Sequence, residues 1–316
     1  MDRAEIPIQP RFTEGEAFDV AIVGAGPAGL SAALILGRMR RKVLAVDTEA
    51  PAHAVSDGVH GFLAQDGTPP VELRAIGREQ LEPYTTVEVR RVAARLARID
   101  NDGFELGLGD GSTVRTARLL LAHGMHYALP DLDGVPEAWA KRVFHCPYCH
   151  GWEVRDQRVA VYGCSERAVH QALLLSSLTD DVILLCAHAS ALTPDQQEHL
   201  SRAGVDIEPR SVQRIDEHDE ALRVAFAGAG DLRRDALFVQ PKLELASNLA
   251  ASLGAEMTET GTVATDDSGL STVAGLYVAG DAATSVQSVA VATASGARAA
   301  YAINADLAIP RHRAGS

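Results

Sequence analysis

The sequence is poor in cysteine and in positive charge, and each shortage excludes a class of protein. Four cysteines are too few for a small scaffold held together by disulfides. The net charge of −13 argues against a nucleic-acid partner, because binding to phosphates needs a basic face. No apolar run reaches the roughly 18 residues of a transmembrane helix, so no membrane association is expected.

The length of 316 residues exceeds the usual size of a single domain, so about two domains are expected. Apolar residues make up 47% of the chain, which is ordinary for a globular protein with full hydrophobic cores. Residues 1–16 are polar and lack the apolar core of a secretion signal. They are therefore predicted to form a short N-terminal arm on a cytoplasmic protein.

A dinucleotide-binding pattern follows this arm. Residues 18–23 form a short apolar run typical of a buried parallel strand, and Gly24-Ala-Gly26-Pro-Ala-Gly29 follows at once. A helix rich in Ala and Leu and a second strand ending at Asp47 complete a βαβ unit. In such a unit the glycines permit a tight turn, the approach of a pyrophosphate and close helix packing, while the acidic residue suits a ribose hydroxyl. A glycine-rich turn without a nucleotide is the alternative, and the position between strand and helix favours the nucleotide.

Further elements follow in the middle of the chain. Residues 85–122 contain short apolar runs broken by Asn-Asp-Gly and Gly-Asp-Gly turns, which is typical of antiparallel strands. A second βαβ unit has predicted strands at 159–162 and 182–186, joined by a turn at Gly163 and a helix.

The predicted fold class is α/β, with two Rossmann-like, three-layer nucleotide-binding domains, the second inserted into the first. Residues 17–124 and 241–316 are assigned to the first domain, and residues 125–240 to the inserted domain. A strand running into a loop and a long Ala-rich helix over residues 289–307 complete the returning part of the first domain.

Two cysteines separated by two residues, Cys146 and Cys149, lie just before the second βαβ unit. Such a pair can close a small disulfide ring whose geometry tunes how readily it opens. It can also form half of a zinc site, with His145 and His150 beside it. A structural zinc site normally needs four Cys or His ligands, and the other two cysteines lack that spacing. A redox pair without a bound metal is therefore the favoured interpretation.

The first glycine turn, the Cys-x-x-Cys pair before a second βαβ unit, and Gly280-Asp281 together resemble the low-molecular-weight thioredoxin reductases over residues 18–307. The resemblance implies that Cys149 faces a flavin while Cys146 exchanges with substrate. It also implies that the start of the last helix stabilises an anionic reduced flavin. The residues that it implies for binding FAD are Gly24, Gly26, Pro27, Ala28, Gly29, Asp47, Gly280, Asp281, Ser288 and Val289.

Within this group, three segments are most similar to a branch that includes flavin-dependent dithiol oxidases of the gliotoxin and holomycin types. They are His-Gly-Phe-Leu at 60–63, Asp-Gly at 66–67 and Cys-Pro-Tyr-Cys-His-Gly-Trp-Glu at 146–153. The branch implies oxidation of a small dithiol in natural-product biosynthesis, with O2 as the electron acceptor. The resemblance also implies a homodimer.

Three departures from the reductase pattern weaken the case for NADPH as a second cofactor. The second turn keeps Gly163 but has Ser165 where a second glycine would meet a pyrophosphate. The strand ending at Cys186 is followed by Ala-His-Ala-Ser, where NADPH users typically carry basic residues for the 2′-phosphate. The residue after the second active cysteine is His150, where reductases of thioredoxin usually have an aspartate.

The sequence therefore predicts an FAD-dependent thiol–disulfide oxidoreductase that oxidises a small dithiol through Cys146 and Cys149. His150 is the expected general base, because the usual pKa of histidine lies near the operating pH; a surface histidine in a turn is the alternative. A thioredoxin-disulfide reductase, driven by NADPH or another donor and with thioredoxin as partner, is the alternative hypothesis. A flavin-bound redox sensor or self-resistance protein with little turnover is a third.

The other cysteines and histidines are expected to have structural roles. Cys164 and Cys186 are interpreted as small buried apolar residues. Tyr148 and Trp152 are candidates for lining a substrate pocket, with packing as an equal alternative. Packing or hydrogen bonding, rather than reaction, is expected of His60, His123, His126 and His145.

Overall fold

The computed structural model describes residues 17–50, 55–101, 103–228 and 230–309, so the predicted arm at residues 1–16 lies outside it. The described strands are β1 (Ala17–Val23), β2 (Val43–Asp47), β3 (Val87–Arg91), β4 (Ala94–Asp100), β5 (Gly103–Leu108), β6 (Thr113–Leu121), β7 (Met125–Ala128), β8 (Val143–Phe144), β9 (Val159–Tyr162), β10 (Val182–Leu185), β11 (Asp206–Glu208), β12 (Val212–His218), β13 (Ala221–Phe226), β14 (Asp231–Arg234), β15 (Ala236–Phe238), β16 (Lys242–Leu245) and β17 (Leu276–Val278). The described helices are α1 (Pro27–Arg38), α2 (Pro70–Glu79), α3 (Val135–Ala138), α4 (Pro147–His150), α5 (Glu166–Leu175), α6 (Pro194–Arg202), α7 (Leu249–Ser252) and α8 (Val289–Ala308), with 3₁₀ helices at Ala189–Ala191 and Gly280–Ala283.

Contacts divide the chain into two compact units, each with its own hydrophobic core. Unit 1 holds the described residues of 1–54, 70–126 and 244–316, and unit 2 holds residues 55–69 and 127–243. The chain passes from unit 1 to unit 2 within β7 and returns within β16, two strands that pair with each other. Among the described residues, no helix is both long and apolar enough to cross a bilayer.

Residues 55–69 belong to unit 2 by their contacts, although the sequence prediction placed them in the first nucleotide domain. A bridge between Val59 and Thr68 closes this segment into a loop. Ser56 and His60 then contact side chains that lie far along the chain in unit 2. The difference arises because tertiary contacts, which no local pattern encodes, decide where a loop of this kind packs.

Unit 1 is built on a sheet in the order β3-β2-β1-β6-β5-β4, and β17 also pairs with β6. β1 lies between β2 and β6 and is parallel to both, so the carboxyl ends of the three strands share one edge. Strand β6 serves two parts of the sheet, because residues 113–116 pair with β5 while residues 119–121 pair with β17. The apolar run of β2 is buried along its length, as a central parallel strand requires. This architecture confirms the predicted α/β class.

The strand prediction for residues 85–122 needs one correction. β4, β5 and β6 form the expected antiparallel meander. β3, which the prediction grouped with them, pairs in parallel with β2 instead. Its Val87 and Val89 pack into the same core as helix α1, so β3 extends the parallel part of the sheet.

Helices α1 and α8 pack closely because small residues line their contact. At Gly296 of α8, a Cβ atom would collide with the backbone oxygen of Ala28 in α1. Ala292, Ala299 and Ala300 of the same helix are also buried. The Ala-rich composition that predicted this helix therefore also sets the distance between α8 and the start of α1.

Replacing Gly296 with alanine should destabilise the protein, although alanine is the better helix former. The added methyl group would meet backbone rather than a flexible side chain, so α1 and α8 would have to separate. We expect a loss of about 1–3 kcal/mol in the free energy of unfolding, measured by urea denaturation. Ala294→Gly, at an exposed position of α8, is the matched control and should cost about 1 kcal/mol. A Gly296→Ala protein of equal or higher stability would contradict the close packing.

Unit 2 contains a parallel sheet in the order β11-β10-β9-β15-β8 and an antiparallel sheet in the order β12-β13-β14. The β9–α5–β10 crossover forms where the second βαβ unit was predicted. Fully buried leucines such as Leu175, Leu184 and Leu200 fill its core. Because β8 and β9 both pair in parallel with β15, the residues after β8 emerge at the same edge as those after β9 and β10.

Candidate active site

A cleft of about 360 Å³ opens at the carboxyl edge of the parallel strands of unit 1. This volume lies within the usual range of a ligand pocket. The lining residues come from the segments that follow β1, β2, β3, β6, β16 and β17 and from helices α2 and α8, so the fold brings together distant parts of the sequence. They include Gly24, Gly26, Asp47, His123, Gly124, Gly280 and Asp281.

The three glycines of the first turn have different steric roles. Gly24 has a φ of 101°, and a Cβ atom there would collide with the backbone oxygen of Ala122. A Cβ atom on Gly29 would collide with the backbone oxygen of Gly24. Gly26, in contrast, has no atom within 4 Å of a Cβ position, and it begins α1 without a side-chain cap. The backbone N–H groups at the start of α1 are thus open to an anionic ligand.

Two titratable side chains in this cleft are desolvated. Burial raises the pKa of Asp281 to about 6. Burial also lowers the pKa of His123, whose Nδ1 lies 3.0 Å from the Gly124 oxygen. Its Nε2 is buried without a hydrogen-bond partner among the described residues, whereas His126 is exposed at the rim. Buried polar groups are normally satisfied, so these residues and the open glycine backbone fit a polar dinucleotide.

Asp47, predicted to meet a ribose, is held by two arginines that the sequence analysis missed. Arg74 and Arg78 of α2 both form ion pairs with its carboxylate, and Arg74 also lines the cleft. Nearby, burial acts to raise the pKa of Glu49, but the hydrogen bond and charge of Arg78 and the charge of Arg91 lower it below its usual value. The spacing of four residues puts both arginines of α2 on one helix face. The sequence does not show that this face lies beside the end of β2, so the spacing alone did not predict the ion pairs with Asp47.

The remaining predicted cofactor residues lie around the start of α8. Ser288 caps this helix with its side chain, and Val289 is the first helical residue. Ala292, one turn further, lines the cleft. Gly280 has a φ of 72°, and its N–H donates to Ser295 Oγ at 2.8 Å. This bond ties the loop after β17 to α8.

Asp281→Asn should stabilise the cofactor-free protein above pH 6 and flatten its pH dependence. Because the folded-state pKa of about 6 exceeds the usual value of 3.8, the folded protein holds a proton that the unfolded chain has released between these values. Stability should therefore fall as the pH rises from about 4 to about 6, and should stay lower above that range. The asparagine protein lacks this loss, so urea denaturation at pH 7 should show a gain of roughly 1–3 kcal/mol.

Asp267→Asn is the matched control for this test, because Asp267 is exposed in the same unit. It should leave the pH dependence of stability unchanged. If the slope between pH 4 and pH 6 survives in the Asp281→Asn protein, another group causes it.

The predicted redox pair lies in unit 2, at the carboxyl end of β8. Cys146 and Cys149 form a disulfide with their Cα atoms 5.3 Å apart, and both residues are half-buried. Cys146 precedes the single turn of α4, which Pro147 begins because that position needs no N–H donor. The buried Gln171 of α5 donates to the His145 oxygen at 2.6 Å and so anchors the residue before the pair. Within the described ranges, no group of three or more His, Cys, Asp or Glu side chains is placed to hold a metal ion.

His150 follows this pair directly and is held on two sides. Its ring stacks on Phe144 with centroids 4.5 Å apart. Its Nε2 lies 3.2 Å from Ser56 Oγ, and the Ser56 hydroxyl donates to the Gly58 oxygen at 3.0 Å. A hydroxyl has one hydrogen, so Ser56 can only accept from His150 while it donates to Gly58. In that arrangement Nε2 carries the ring proton, and Nδ1 is shielded from solvent.

Residues 55–69 also bring His60 to this site, which the sequence analysis did not foresee. The rings of His60 and His150 lie 6.3 Å apart, edge to face. His60 Nδ1 is 3.6 Å from Glu153 and 3.8 Å from Asp66. All four side chains come from segments quoted for the resemblance, and nothing in their spacing indicated that these segments meet.

The aromatic residues near the pair fall into two groups. His145 stacks on Trp139 with centroids 5.7 Å apart and lies 4.8 Å from the Tyr127 ring, which is a packing role. Tyr148 and Trp152 are 79% and 64% exposed. Two large rings beside the disulfide therefore face solvent rather than the core.

The structure contradicts the interpretation of Cys164 and Cys186 as separate buried residues. They form a second disulfide with their Cα atoms 5.0 Å apart, within the usual range. Cys164 lies in the turn after β9, and Cys186 directly follows β10. Because β9 and β10 pair in parallel, the two cysteines meet at one edge although 22 positions separate them.

In the second glycine turn, the side chain of Ser165 takes up a backbone N–H at the start of the following helix. Gly163 has a φ of 126°, so the first position of the pattern is preserved. The Ser165 hydroxyl accepts a hydrogen bond from the Ala168 N–H at 3.2 Å and caps α5. Glu166 occupies the first position of α5, where a helix end would otherwise favour an anionic ligand. The start of α5 therefore provides fewer free N–H donors and a less positive environment for a phosphate than the start of α1.

The fold and these sites define a class of protein: a disulfide oxidoreductase built from two Rossmann-like α/β units. A family model described as pyridine nucleotide-disulphide oxidoreductase matches residues 18–296. The chain belongs to this family, and the predicted resemblance to thioredoxin reductases is confirmed.

Similar proteins match between two thirds and nearly all of the chain. Thioredoxin reductase sirT of Leptosphaeria maculans is 28% identical over 305 residues, which cover 91% of this chain and 93% of that protein. A probable thioredoxin reductase of Arthroderma benhamiae is 27% identical over 66% of this chain, and the chain spans 55% of that protein's length. The crystal structure of HlmI has a TM-score of 0.87 and 37% identity, with 94% of each chain covered.

Proposed function

We propose that the protein is an FAD-dependent dithiol oxidase, which converts a small-molecule dithiol to a disulfide with oxygen as the electron acceptor. The observation that carries this direction is the second glycine turn. Its helix is capped by Ser165 and begins with Glu166, so a nicotinamide dinucleotide would find neither an uncapped helix nor a favourable positive end. Without a nicotinamide donor, electrons would enter at the disulfide of Cys146 and Cys149.

The cleft of unit 1 would hold the FAD. The turn from Gly24 to Gly29 would receive the pyrophosphate, and Asp47 would bind the adenosine ribose. Asp281 would bond to the ribityl chain or pyrophosphate, and the helix start at Val289 would favour negative charge on a reduced flavin. The chemistry that bound FAD would supply is a two-electron acceptor for the reduced cysteine pair, with oxygen as the final oxidant and hydrogen peroxide as its product.

The cysteine pair would exchange directly with the substrate. A substrate thiolate would attack the Cys146 sulfur, the bond to Cys149 would break, and Cys149 would leave as a thiolate. The second substrate thiolate would then attack the substrate sulfur of the mixed disulfide and displace the Cys146 thiolate. The substrate leaves as a disulfide, and its two electrons remain in the reduced pair.

His150 would take the protons that the substrate thiols lose. Ser56 Oγ, 3.2 Å from Nε2, would hold the ring in place for this role. A neutral imidazole near its usual pKa can turn a thiol into a thiolate close to neutral pH. The thiolate, and not the thiol, is the nucleophile in the exchange.

A thioredoxin-type reductase is the second candidate, because the relative sirT is named a thioredoxin reductase. The exposed rings of Tyr148 and Trp152 beside the disulfide would suit a protein partner as well as a small molecule. Electrons would then flow outwards, from a reduced flavin to the cysteine pair. A homodimer is a prediction of both hypotheses.

Anaerobic titration of the flavin spectrum separates the two directions of electron flow. A small dithiol should bleach the flavin rapidly, and air should restore the colour with formation of hydrogen peroxide. NADPH should bleach it slowly or not at all, because the second turn does not receive the dinucleotide. Cys149→Ser should abolish bleaching by the dithiol. Rapid bleaching by NADPH would overturn the oxidase direction in favour of the reductase.

Replacing His150 and Ser56 separates proton transfer from ring positioning. His150→Ala should lower kcat/KM for a dithiol by about 10²–10⁴-fold and remove one ionisation from the pH–rate profile. Ser56→Ala should cause a smaller loss and shift this ionisation, since the ring loses its Nε2 partner, and Ser56→Thr should restore it. His170→Ala, at an exposed position of α5, is the control. An unchanged pH–rate profile in the His150→Ala protein would exclude this histidine from the mechanism.

A further inference from the structure

The second disulfide of unit 2 lies where proteins with this topology bind ligands. It joins the turn after β9 to the end of β10, through Cys164 and Cys186. In open parallel sheets ligands bind beyond the carboxyl ends of the strands, and a dinucleotide contacts the glycine turn and the end of the next strand. Here a covalent bond connects these two segments, in a turn already closed by Ser165. The edge therefore carries a disulfide at the position where this topology would place a dinucleotide.

The two sulfurs of this disulfide differ in access. Cys186 is completely buried in the core, whereas Cys164 is only half-buried. A thiolate must reach one sulfur to open a disulfide, and only Cys164 can be approached from solvent. Cys164 also lies directly before Ser165, the N-cap of the ten-residue helix α5. Ser165 and Glu166 already occupy the start of this helix, so access to solvent is what distinguishes the two sulfurs.

We propose that Cys164 and Cys186 form a second thiol–disulfide exchange site, which is independent of the flavin and takes low-molecular-weight thiols and their disulfides. A small thiolate attacks the Cys164 sulfur, the bond to Cys186 breaks, and Cys186 receives the electron pair and a proton. A second thiolate attacks the small-molecule sulfur of the mixed disulfide and displaces the Cys164 thiolate. Two small thiols are thereby oxidised to one disulfide while the protein disulfide is reduced, and the reverse sequence restores it.

Exchange at this site removes the covalent link between the glycine turn and β10. The backbone bond from the Gly163 N–H to the Leu185 oxygen, at 3.0 Å, then remains as a direct connection between these segments. The site thus has two covalent states that differ at the edge of the parallel sheet. The ratio of small thiol to its disulfide in the surroundings sets their populations.

Thiol counting on flavin-loaded protein with Cys146→Ser and Cys149→Ser tests the site in the absence of the first pair. This variant is kept folded and equilibrated with glutathione buffers that range from fully oxidised to fully reduced. It should have two more free thiols in the fully reduced buffer than in the fully oxidised one, as counted by alkylation and mass spectrometry. Peptide mapping at intermediate ratios should find glutathione attached to Cys164. Thiols that appear only after unfolding would make the disulfide purely structural, and two thiols already present in oxidised buffer would mean that no disulfide forms.

Either of those results would overturn the proposal. Neither bears on the proposed oxidase activity, because this protein lacks the Cys146–Cys149 pair on which that activity depends. The two hypotheses can therefore fail separately.

Single replacements in the same background test the difference between the two sulfurs. With Cys186→Ser, the remaining Cys164 should react with iodoacetamide and form a mixed disulfide with oxidised glutathione. With Cys164→Ser, the buried Cys186 should react at least about tenfold more slowly in the native protein. Unfolded samples of both proteins should react at equal rates and serve as the control. Equal native rates, or a faster reaction at Cys186, would overturn the assignment of Cys164 as the attacked sulfur.

Discussion

Parallel pairing of strands is the interaction on which the rest of this protein depends. In a parallel sheet the carboxyl ends of the strands lie along one edge, and the loops that follow them converge there. In unit 1 this edge forms the cleft after β1, β2 and β6. In unit 2 the corresponding edge carries both cysteine pairs, after β8, β9 and β10. Buried apolar strands hold these loops in place. The positions of the loop residues at both sites therefore depend on how the strands pack in the core.

The two βαβ turns show how few residues decide what such an edge binds. Both begin with a glycine of positive φ, Gly24 and Gly163. The first turn is open at Gly26, whereas the second has Ser165, whose hydroxyl takes up a backbone N–H of its own helix. One helix end thus keeps its donors for a ligand, and the other is satisfied within the protein. The difference is local, although the surrounding topology is the same.

Local patterns in the sequence predicted the parts of the structure that depend on local interactions. Glycine spacing and apolar runs located both βαβ units, and the Ala-rich composition located α8. The features that were missed depend on contacts between distant segments. Cys164 and Cys186 have no recognised spacing, and only the parallel register of β9 and β10 brings them together. Ser56 and His150 likewise meet only because residues 55–69 pack in unit 2, which no periodicity in the sequence encodes.

The insertion of unit 2 separates the order of the sequence from the order of assembly. Strand β17 and helix α8 complete the sheet and the helix layer of unit 1, yet both follow all of unit 2 in the chain. A ribosome therefore releases the whole of unit 2 before it makes the last parts of unit 1. Because domains tend to fold as they emerge, the inserted unit can be complete while α1 still exposes the face that α8 will cover. The small residues of α8 then cover the face of α1, which is synthesised early but is buried only when the last part of the chain folds.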